Sequence, residues 1–166
     1  MFSSELLPIY LNDHLGGSTA GVDLAKRTAK ANEGTEFEEL LHDIAAQIEA
    51  DHAALEDVMA RLDVKRDQLK VGAGWLAEKL GRLKLNGRLL EYSPLSRVIE
   101  LEGLISGVNG KRALWKVVAI AAPSEPRIAD VDFVHLIARA EEQLQGLDAA
   151  HTRAAELMLE AERVSS

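Results

Sequence analysis

Five histidines and 27 carboxylates are the side chains through which this 166-residue chain can do metal or acid–base chemistry, because it has no cysteine. That absence removes disulfides, thiolate zinc sites, iron–sulfur clusters and a cysteine nucleophile together. Three histidines fall at apolar positions of helical spacing: His14 between Leu11, Leu15 and Ser18, His52 among Ile48, Leu55 and Met59, and His151 between Leu147 and Ala154. His42 and His135 fall on polar faces and are assigned no role. A turn is expected between Ala31 and Thr35; His14 stands 17 residues before it and His52 17 residues after it. At about 1.5 Å per residue both imidazoles then lie about 26 Å from the turn, in one layer. Two imidazoles facing each other in an apolar interior, with Asp13, Glu49 and Asp51 nearby, are donors for a divalent cation such as iron, manganese or zinc.

The elements that position these groups are all helical. Apolar residues recur at three- and four-residue spacing almost throughout and strand-type alternation is never sustained, so the chain reads as one all-α domain over residues 1–166. Helices are expected over 8–31, 35–62, 67–85, 94–121 and 130–163. Pro8 suits a first helical position, and Thr35 with Glu38 is spaced as a capping box in which the hydroxyl accepts from the Glu38 amide and the carboxylate reaches back to Thr35. The core stripe of the second helix is Phe37, Leu41, Ile44, Ile48, Leu55, Met59 and Leu62. Ser93 before Pro94 caps the fourth helix, the Ala122–Pro126 linker is expected to be non-helical, and Asp130 is expected to cap the fifth.

Two long hairpins joined by a middle stretch with its own shorter helix resemble the ferritin-like four-helix bundle with an additional crossover helix. The resemblance is carried by helix lengths and by Glu49-Ala-Asp-His52 on the second helix. It implies a Glu on two helices and a Glu-x-x-His on the two others, with carboxylates bridging two metal ions. On that pattern His52 points inward and Glu49 lies on the flank of the stripe. Glu102 and Glu141 are the nominees on the fourth and fifth helices, and His14 stands where the family would supply Glu. Leu144 and Gln145 follow Glu141 and Glu142 at the third position, so the second Glu-x-x-His is absent. The implied metal set is therefore His14, Glu49, His52, Glu102 and Glu141, loaded with iron, manganese or zinc. A mononuclear or vestigial site fits that set better than a competent di-iron centre. The same spacing also arises without any metal, from buried histidines bonded to a neighbouring Asp, Ser or carbonyl. His151 is expected to meet a carboxylate near Glu100.

Lys and Arg total 19 against 27 Asp and Glu, a formal charge of −8, so attraction to nucleic acid is not expected. The charge is uneven: residues 1–64 carry −9, residues 65–88 carry +5 and residues 89–166 carry −4. Segment 65–88 combines that basic character with helical apolar spacing around Trp75. It reads either as a strap that complements the acidic bundle or as a docking site for an acidic protein partner. Gly72, Gly74 and Gly81, and the run Gly16-Gly17-Ser18-Thr19-Ala20-Gly21 after His14, point to close helix approach or to a pocket beside the histidine layer. The amino terminus lacks a signal-peptide pattern and no apolar run reaches membrane-spanning length, so a cytoplasmic location is expected. Three functional readings stay open: a ferritin-like bundle without a competent di-iron centre, a metal-binding oxidoreductase or metal-storage protein, and a helical interaction module, with a homodimer as an open assembly.

Overall fold

The computed structural model describes residues 5–67 and 92–164, which form four long helices and no strand. They are α1 (Leu6–Ala31), α2 (Glu38–Arg61), α3 (Pro94–Ala121) and α4 (Phe133–Val164). The helix expected over 67–85, with Trp75, the glycines at 72, 74 and 81 and most of the basic segment 65–88, lies outside the described residues apart from Asp67. Among the described residues no helix is long and apolar enough to cross a membrane.

Cross-helix pairs fix the directions. Arg27 near the end of α1 pairs with Glu100 near the start of α3 at 3.3 Å, and Arg97 Nε donates to Asn32 Oδ1 at 2.5 Å. Arg61 at the end of α2 meets Asp130, just before α4, at 2.8 Å, while Arg153 reaches Glu36 at 3.1 Å at the opposite end. α1 and α4 therefore run one way, and α2 and α3 run the other. The two parallel helices α2 and α3 begin at the same end, so the chain passes from one end of the bundle to the other between Leu62 and Tyr92. This is a four-helix bundle with a long connection between its two hairpins.

The helix ends differ from the expected ones in ways that matter to the site. Residues 35–37 form a turn before α2 begins, so Thr35 Oγ1 accepts from the Phe37 amide at 3.2 Å and the Glu38 carboxylate accepts from the Gly34 amide at 2.7 Å, not from Thr35. Gly34 adopts φ +77°, which costs glycine little and closes the hairpin. At the other end of α2 the Val64 amide donates to the Met59 carbonyl at 2.9 Å, a Schellman-type stop with Asp63 at φ +56°. Asn12, buried on α1, donates to the Lys65 carbonyl at 3.0 Å and accepts from the Asp67 amide at 2.7 Å, tying the chain after α2 to α1.

Ser93 caps α3 as expected, in a reciprocal box with Ser96. The Ala122–Pro126 linker is not free of helical turns, because two single 3-10 turns, Ala122–Ser124 and Pro126–Ile128, fold it back. Asp132 caps α4 in place of Asp130, accepting from the His135 amide at 2.9 Å, since Asp130 is drawn to Arg61.

The apolar interior falls into two clusters. One holds Leu24, Ile44, Ile48, Leu104, Val108, Ala140 and Leu144; the other holds Leu15, Leu55, Leu114, Trp115, Phe133 and Leu136. Each helix passes from one cluster to the other through a polar stretch. On α2 it contains Asp51, on α3 Lys111, on α4 Arg139 and on α1 Ser18. A polar layer crosses the middle of the bundle.

Candidate functional site

Three polar residues at this level, on three helices, occupy stripe positions. Asp51 lies three residues after Ile48 and four before Leu55, Lys111 lies three after Val108 and four before Trp115, and Gln143 lies three after Ala140 and four before Leu147. Helical geometry therefore turns them inward with the apolar residues around them. The Asp51 carboxylate, 1% exposed, accepts four hydrogen bonds. Oδ1 takes both from Arg139, one of them from Nε at 2.9 Å, while Oδ2 takes one from Lys111 Nζ and one from Gln143 Nε2 at 3.1 Å. Lys111 Nζ also donates to Gln143 Oε1 at 2.5 Å, and Gln143 Nε2 reaches Gln47 Oε1 at 3.1 Å. A buried carboxylate this fully bonded has its acceptor capacity used. One carboxylate serves two cations, so this cluster carries one excess positive charge. Burial pushes the Lys111 ammonium below its ordinary pKa, and the Asp51 charge works against that shift.

A cleft of about 170 Å³ opens onto this cluster between α1 and α3. Asp13, Gly17 and Gly107 form its exposed rim, and Asp51, Leu55, Leu114 and Trp115 are its buried parts. A methyl group added at Gly17, Gly107 or Gly110 would meet nothing within 4 Å, so the glycines leave space that side chains do not refill. Trp115 is fully buried, and its indole Nε1–H has no hydrogen-bond partner. An orphaned buried donor of this kind is rare enough to require an explanation.

The residues nominated from the sequence sit around this layer in separate pairings. His52 does not face His14. Its Nδ1 shares a hydrogen bond with Ser18 Oγ at 2.9 Å, and its Nε2 lies 3.6 Å from Glu56. The cause is the longer hairpin turn: with α2 starting at Glu38 and not at 35, the residue of α1 level with His52 moves one helical turn along, from His14 to Ser18. His14 lines the cleft and stands edge-on to Tyr10, ring centroids 4.6 Å apart; burial lowers its pKa and Asp13 opposes that. Glu49 is exposed and pairs with Lys26 at 2.5 Å. Glu102 accepts from His151 Nε2 at 3.2 Å, whereas Glu100, the partner expected for His151, is held by Arg27 and Tyr92. Glu141 is exposed, 4.0 Å from Lys116.

Among the described residues no three His, Asp or Glu side chains gather as a metal site. The centre that a di-metal pair would occupy instead contains Lys111 and Arg139, whose charges repel a divalent cation. The residues present do not fit a di-metal centre. Nor does the Ser18–His52–Glu56 sequence form a nucleophile relay, because Glu56 is claimed by Arg66 at 2.6 Å and lies beyond hydrogen-bond reach of His52.

Lys111, Arg139, Gln143 and Trp115 Nε1 were not legible as a site from motif spacing. Polar residues at stripe positions were the available signal, three of them on three different helices. No family model, curated protein or solved structure matches this chain.

Proposed function

We propose that this chain is a ferritin-like bundle that uses its central layer to bind a small organic molecule in the cleft between α1 and α3. The observation that carries this reading is the cleft itself: space left open by three glycines, beside the largely buried Lys111 and lined by Leu55, Leu114 and Trp115. Ligand sites in bundles are built in this way, from a mostly apolar wall and a few convergent polar groups. The Asp51 cluster is the rigid floor. Lys111 is held in place before any ligand arrives by its bonds to Asp51 and Gln143, which lowers the ordering cost of binding.

The test is a thermal-shift screen of small organic molecules and of iron, manganese and zinc salts against the wild-type chain and Gly110→Leu, which fills the cleft. A ligand at a hundred times its Kd is expected to stabilise the wild type by about 2.7 kcal/mol and Gly110→Leu by far less. Stabilisation that survives in Gly110→Leu overturns the reading. So does stoichiometric metal that is lost in His14→Ala or His52→Ala.

A further inference from the structure

Resting on that reading, we infer that the ligand is a small uncharged molecule, with a compact apolar body in the cleft and one neutral polar head at the rim. The charges in and behind the wall cancel. Asp13 and Asp51 line the cleft together with Lys111, and Arg139 reaches the Asp51 carboxylate from α4. Two carboxylates thus meet two cations. His14, the remaining titratable group of the lining, is held towards its neutral form by burial, against the pull of Asp13.

The polar groups at the inner end are also committed to one another. Asp51 accepts from Arg139, Lys111 and Gln143, and Lys111 donates to both Asp51 and Gln143. Ser18 shares its hydrogen bond with His52. An ionic ligand would have to break into these pairs, or give up its hydration with no buried counter-charge to replace it, and either costs affinity. Asp13 lies on the exposed rim, where water and salt weaken its attraction for a cation. A hydroxyl or carbonyl head carries neither cost.

Size sets the body of the ligand. A cavity of about 150 Å³ is known to hold benzene, so the roughly 170 Å³ here suits a single aromatic ring or a short branched chain. Leu55, Leu114 and Trp115 make the deep wall mainly apolar, and the glycines at 17, 107 and 110 leave the room.

Benzyl alcohol, benzoate and benzylamine share one ring and differ in the charge of the head, which at neutral pH is zero, negative and positive. Each is titrated into the full wild-type chain at constant ionic strength, following the amide resonances of Gly17, Gly107 and Gly110. Benzyl alcohol is expected to saturate and to bind about tenfold tighter than either ion. Benzoate binding as tightly as benzyl alcohol would reveal an unmatched cation at the wall, and benzylamine doing so an unmatched carboxylate. Either result overturns the neutral-ligand inference while leaving the cleft a ligand site. If none of the three moves the glycine resonances, the inference and the ligand-site reading fall together.

Discussion

Asp51 on α2 and Lys111 on α3 are 60 residues apart in the chain and form an ion pair in which the aspartate side chain is 1% exposed and the lysine 14%. A pair this deep is weak evidence of stability, because desolvating both charges offsets much of their attraction. Its value is positional. It fixes a cation at the bottom of the α1–α3 cleft and joins the two hairpins at the height where the apolar core is interrupted.

Removing one partner is therefore expected to cost more than removing both. Asp51→Ala leaves Lys111 and Arg139 without a counter-charge and should lower the unfolding free energy by about 3–5 kcal/mol in urea denaturation. Asp51→Leu combined with Lys111→Met should recover most of that loss, since the Arg139 side chain is 22% exposed and keeps contact with water. A double variant as unstable as the single one would show that the loss comes from packing and not from uncompensated charge.

The sequence made the helical stripes readable because burial writes itself into spacing: Phe37, Leu41, Ile44, Ile48, Leu55, Met59 and Leu62 are all expected inward and all buried. Ends were less legible. Asp130 and Asp132 are equally good caps by type, and only the presence of Arg61 across the bundle decides between them. The site was least legible, because a register depends on the summed lengths of helices and turns. Three residues of extra turn between α1 and α2 move His52 from His14 to Ser18, and pattern alone carries no information on that scale.

Tyr92 gives an alkaline signature. Its hydroxyl donates to Glu100 at 3.0 Å and accepts from Asn32 at 2.8 Å, and burial, with the Glu100 charge second, pushes its pKa up to about 12. The folded state thus keeps a proton that the unfolded state releases near pH 10. Stability is expected to fall as pH rises from about 10 to about 12. Tyr92→Phe should lose about 1 kcal/mol at pH 7 and show a smaller alkaline decline, read as the difference between urea curves at pH 9 and pH 11. An equal decline in both proteins would remove Tyr92 as the cause.

His14 acts in the acid range with the opposite slope. Burial favours its neutral form, with Asp13 partly opposing, so the unfolded chain binds the proton first as pH falls below 6.5. The His14 contribution is complete above that value and is lost as pH drops towards the lower folded-state pKa. His14→Phe keeps an aromatic ring beside Tyr10 and is expected to lose less stability between pH 7.5 and pH 5 than the wild type, by guanidinium denaturation at the two pH values. A wild-type loss no larger than that of the variant would contradict the neutral, half-buried imidazole.

The cleft glycines carry a helix cost that can be measured directly. Gly110 lies inside α3, where its freedom is lost on folding, and a methyl group placed there meets nothing within 4 Å. Gly110→Ala is therefore expected to stabilise the chain by about 0.5–1 kcal/mol, seen as a higher Tm. Gly146 on α4 provides the contrast, because an added Cβ would stand 3.0 Å from Leu40 Cδ1, and that side chain must give way. Gly146→Ala should yield a smaller gain or a loss.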